Sequence, residues 1–73
     1  MALGQVAQAA QVLEFTWEMF PASAPVANSL AEASEQLGDR ERATALSQFV
    51  VQKSPASEVS RASRERLNRL RRN

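Results

Sequence analysis

LGQVAQAAQVLEFTWEMFPAS (residues 3–23) and LGDRERATALSQFVVQKSPAS (residues 37–57) are one pattern written twice, 34 residues apart. Aligned without a gap, seven of the 21 positions are identical: Leu3/Leu37, Gly4/Gly38, Ala9/Ala43, Phe15/Phe49, Pro21/Pro55, Ala22/Ala56 and Ser23/Ser57. Composition could supply some Ala and Ser matches. It would rarely align Leu-Gly at one end and Pro-Ala-Ser at the other. Self-similarity at such a period is the mark of a stacked helical array.

Each half of the pattern has a physical reading. Gly4 and Gly38 suit a tight turn between helices, where a positive φ costs glycine nothing. Asp39 can cap the next helix, and Glu41 sits in its first turn near the positive dipole end. Ser54-Pro55 stops that helix, because the residue before proline is driven from helical geometry. Pro55 then suits the start of the next helix. Pro21 is read as a stop and Pro25 as a helix-start residue, the position where its missing N–H does no harm. Four helices follow, at about 3–20, 25–37, 39–53 and 56–71. Their short links force antiparallel neighbours. No stretch shows sustained period-two alternation, so no strand is expected. The expected fold is all-α: a single domain over 1–73 built of antiparallel helical hairpins.

Paired helices at a 34-residue period resemble the tetratricopeptide repeat. The residues that carry the resemblance lie in 25–55: Ala27, Leu30 and Ala31 in the first helix, Gly38-Asp39 at the turn, then Ala43, Val50 and Pro55. Residues 3–20 look like the second helix of a partial repeat. Residues 56–71 look like the basic capping helix that closes such arrays. The sequence departs from the family at Ala27, Ser34 and Ser47, where the family favours aromatics. The resemblance implies a protein- or peptide-binding module, the C-terminal part of a larger protein. In this family the first helices line a concave binding face, which implies Asn28, Glu32, Glu35 and Gln36 as exposed ligand-facing positions here.

Composition excludes much chemistry. The chain has 73 residues, no Cys and no His. So no disulfide, thiolate site or imidazole base or ligand is available. The two glycines lie 34 residues apart, so no phosphate-binding glycine loop exists. The carboxylate pairs Glu14/Glu18 and Glu32/Glu35 read as solvated helix surface rather than acid–base pairs. We expect no enzyme activity and no cofactor. No apolar run approaches a membrane span of about 20 residues. The first basic residue is Arg40, so no secretory signal is expected within these residues; a mature or excised fragment would have lost one. A cytoplasmic location is expected if the chain is complete.

The net charge of +1 conceals an asymmetry. Residues 1–38 hold four Glu and no Lys or Arg, whereas residues 39–73 hold all nine basic residues against four acidic ones. The halves suit each other, or two different partners.

The first helix is apolar on two sides. Val6, Ala9, Leu13, Trp17 and Phe20 trace one face; Val12, Phe15 and Met19 trace the next. Either both sides are core, or Phe15, Trp17 and Met19 form a partner-binding or homodimer surface. The middle hairpin reads as packing through Val26, Leu30, Ala33, Leu37, Ala43, Leu46 and Val50. The last helix has a thin apolar stripe of Val59, Ala62, Leu67 and Leu70 beneath six arginines. Those arginines read as a solvated cap. Docking of Arg64 and its neighbours on an acidic partner is the sharper reading. Nucleic-acid binding is the least favoured, because stacking aromatics are missing.

Overall fold

The structure, a computed structural model, describes residues 3–55 and 57–72. It is all-α, with no strand among the described residues. The helices are α1 (Leu3–Met19), α2 (Ala24–Gln36), α3 (Arg40–Lys53) and α4 (Glu58–Arg72).

Local chemistry sets the ends. The Ser23 hydroxyl accepts from the Val26 N–H at 3.4 Å, and Pro25 stands in the first turn of α2. The Asp39 carboxylate caps α3 by accepting from the Arg42 N–H at 3.2 Å. Ser57 caps α4, accepting from the Ser60 N–H at 3.2 Å. Gly38 adopts φ 84°, and the turn closes as Gly38 N–H donates to Glu35 C=O and Asp39 N–H to Ser34 C=O. That pair of bonds is a Schellman ending and satisfies carbonyls the helix leaves open.

Three local expectations need correction. Gly4 lies inside α1 rather than in a turn, so α1 starts earlier than its counterpart α3. Helix α4 begins at Glu58, after the Ser57 cap, leaving Pro55 in the connecting turn; residue 56 lies outside the described residues. Leu37, expected in the core, is 41% exposed. The helix stops at Gln36, and the Schellman turn carries the Leu37 side chain outward.

The 34-residue shift recurs in the helix ends. Helices α1 and α3 end at Met19 and Lys53; α2 and α4 begin at Ala24 and Glu58. The helices fill a slab about 32 by 31 Å across and 18 Å thick. Helix α2 touches the other three, α3 packs on α4, and α1 reaches α3 by side chains.

The core sits between α2 and α3. Ala27, Leu30, Ala31, Ala43 and Val50 are fully buried, with Leu46 beside them. Alanines at the contact let the axes approach closely, so backbone and Cβ atoms fill the space that longer side chains would. Leu13, Trp17, Phe49 and Val59 close its edges.

Candidate interaction surface

Helix α1 shows only one flank to the rest of the protein. Val6 is buried, while Leu13 and Trp17 pack on the α2–α3 core. The Trp17 ring meets Phe49 edge to face, with centroids 5.2 Å apart. Glu14 anchors the same helix to α3 through a 2.7 Å ion pair with Arg42. The opposite flank is open. Val12, Phe15 and Met19 are 66%, 64% and 59% exposed, and Phe20 beyond the helix end is also exposed. Positions 12, 15 and 19 are three and four apart and so form one stripe.

The sequence grouping of Phe15, Trp17 and Met19 is therefore divided. Phe15 and Met19 share the outer stripe with Val12; Trp17 faces inward and holds α1 to α3. The residue missed as their companion is Val12. Its signal was its spacing from Phe15 and Met19, which identified a face without saying that the face was open.

Beside this stripe, α1 and α2 form an open groove. Val6, Ala9 and Leu13 line one wall; Ser29, Glu32 and Gln36 line the other. Glu32 is exposed there and makes no salt bridge among the described residues. Glu35, its expected companion, is taken up inside the protein. Its carboxylate accepts two hydrogen bonds from Arg69, at 2.9 and 3.2 Å, and lies 3.6 Å from Arg66 Nε. Asn28 is likewise engaged, its side-chain oxygen accepting from Ser63 Oγ and Arg66 Nη1.

The reading of the α4 arginines as a solvated cap needs correction at Arg66 alone, which is buried; Arg61, Arg64, Arg69, Arg71 and Arg72 are exposed. The docked face of α4 is Ser60, Ser63 and Arg66, all buried, while Val59, Ala62, Leu67 and Leu70 are half-buried flanks. The serines are small enough to admit close approach. Arg66 spans the space between α2 and α3, donating to Asn28 and, at 3.2 Å, to Ser47 Oγ. Arg64 stays exposed and donates to the Pro55 carbonyl across the α3–α4 turn.

The hydrogen bonds from Arg69, with the charges of Arg69 and Arg66, hold the Glu35 carboxyl below its ordinary value of 4.5 against the opposing effect of burial. A lowered folded value means that this carboxylate favours folding above about pH 4.5, and that the contribution fades as pH falls through the folded value. Acid should therefore loosen α4 from α2. Following α4 amide protection down from neutral pH should show earlier opening below that value. Glu35→Gln should remove the pH dependence; an unchanged acid limb in that variant would assign it to other carboxylates.

Among the described residues no group of three or more His, Cys, Asp or Glu is placed to hold a metal. No described helix is long and apolar enough to cross a membrane. No family model, curated protein or solved structure matches the chain.

Proposed function

We propose that this chain is a tetratricopeptide-like, non-catalytic interaction module that binds another protein through the open flank of α1. The observation that carries the reading is the stripe of Val12, Phe15 and Met19, left uncovered on a chain whose other large apolar groups are mostly enclosed. A contiguous apolar patch on so small a domain marks an interaction surface. The recurrence of helix ends at a 34-residue shift supports the repeat reading. An array with one uncovered helix flank suits a module carried by a larger protein. A homodimer formed through the same stripe is the alternative.

Phe15→Glu should leave the melting curve nearly unchanged, because exposed substitutions typically shift stability by about 0.5 kcal/mol or less. It should abolish association through α1. Trp17→Ala, by contrast, should cost about 2 kcal/mol of stability, since it removes a half-buried ring and its aromatic partner contact. Sedimentation velocity at low and high micromolar concentration then separates the readings. A dimer that Phe15→Glu returns to monomer selects self-association. A monomer at both concentrations leaves the stripe for a different protein. If Phe15→Glu unfolds the chain, the stripe is core and the reading fails.

A further inference from the structure

The internal repeat says what shape the missing neighbour has. Helix α3 packs on both α2 and α4, and its positions correspond to those of α1 shifted by 34. Val12 corresponds to Leu46, and Phe15 to Phe49. Leu46 is 3% exposed and clusters with Ala27, Leu30 and Ala31 of α2; Phe49 is covered by Trp17. The open positions Ala9 and Val12 of α1 thus match Ala43 and Leu46, which α3 buries, Leu46 against α2; Phe49 packs instead on Trp17 of α1, and Met19 matches the exposed Lys53.

Resting on the reading of this stripe as a binding surface, we propose that its occupant is a basic amphipathic helix of a partner protein, docked antiparallel to α1 as α2 docks on α3. The contact stripe of that helix would be small residues around a leucine, as in Ala27, Leu30, Ala31 and Ser34, all buried in α2.

Its charge follows from the same shift. In α2, Glu35 faces Arg66 and Arg69 of α4. Moved back by 34, those two arginine positions are Glu32 and Glu35 of α2. The receiving surface therefore presents carboxylate where α4 presents guanidinium. Arg69 already engages Glu35, which leaves Glu32 exposed in the groove. Neither α1 nor α2 contains a Lys or Arg; the charges of Arg66 and Arg69 in α4 act on Glu32, but both form their ion pairs with Glu35. The incoming helix meets Glu32 with a Lys or Arg at the place Glu35 holds in α2. Charge complementarity of this kind sets partner choice and register.

A second copy fits less well. At the far end of the stack, the α4 positions matching Ala27, Leu30 and Ala31 are Arg61, Arg64 and Glu65, so copies do not join head to tail through apolar surfaces. Two α1 helices face to face join their apolar stripes but offer no cation to each other, and each adds an exposed Glu18.

The test uses the full chain and a synthetic helix. The probe is the sequence of residues 23–37 with Glu35→Lys, held helical by a cross-link between positions 32 and 36. A second peptide, identical but keeping Glu at 35, is the control. Amide shifts of the nitrogen-labelled protein report the site. We expect saturable shifts centred on Ala9, Val12, Phe15 and Glu32, and a roughly fivefold preference for the lysine peptide, the size of an exposed ion pair. Glu32→Lys in the protein should reverse that preference, and Val12→Glu should weaken both peptides at least tenfold, with the melting curve checking that each variant folds. Shifts elsewhere, or a preference indifferent to residue 32, overturn the proposal. If neither peptide binds but Phe15→Glu dissolves a dimer, the surface stands and a second copy occupies it. If neither happens, the surface reading falls as well.

Discussion

Leu30→Ala should lower stability by about 3 kcal/mol, the middle of the range for a buried leucine. Leu30 is fully buried in the α2–α3 core cluster, whose other members include Ala24, Ala27 and Ala31. Alanine has no rotamer with which to move into a void. The cavity therefore persists and the loss should not fall to the low end of the range. A core in a chain of this size supplies about 3–5 kcal/mol in all. The variant should thus keep about 0–2 kcal/mol and be partly unfolded at room temperature, with a lowered and broadened melt. Urea titration followed by circular dichroism measures this directly. A midpoint close to that of the parent would show that the stack is held elsewhere. Leu37→Ala is the matched control, expected within about 0.5 kcal/mol because its side chain is exposed.

Arg66→Ala is the second large effect. The guanidinium is 4% exposed and joins three helices through Asn28, Ser47 and Glu35. Truncation leaves a void along the former side-chain stem and strips a donor from Ser47 and from Asn28. It does not orphan Glu35, which keeps both hydrogen bonds from Arg69. Breaking a buried charged contact costs about 3–5 kcal/mol when the partner charge is left alone. With Glu35 still paired, about 2–3 kcal/mol is expected. Arg66→Met should cost roughly 1 kcal/mol, because the thioether chain refills the stem's volume. The loss should appear first as undocking of α4, read by faster hydrogen exchange in 58–72 while α2 and α3 stay protected. Equal losses for Ala and Met would assign the effect to the hydrogen bonds rather than the packed stem. No loss in either would mean that Val59, Leu67 and Leu70 hold α4 unaided.

These two sites differ in how far they could be read in advance. Leu30 stood in the helical pattern and among the residues that carry the tetratricopeptide resemblance, and both pointed to its burial. Arg66 stood among six arginines on a polar helix, with nothing in its spacing to set it apart. Its burial depends on Asn28 and Ser47, which arrive from other helices 38 and 19 residues away in sequence. The same contrast separates Phe15 from Trp17. Both are aromatics on one helix. Only the placement of Phe49 decides that Trp17 is inside.

Sequence alone determined the all-α class, the 34-residue recurrence and most helix ends. Gly38, Asp39, Ser23, Pro25 and Pro55 act through φ preferences and capping bonds that span only a few residues, so they operate wherever the chain lies. Tertiary structure alone decided which flank of α1 is covered, and that serines and one arginine form the docked face of α4. Periodicity fixes the angle of a side chain around its own helix axis. Whether that angle meets water, core or an empty groove depends on which other helix lies alongside, and that is set by contacts distant in sequence.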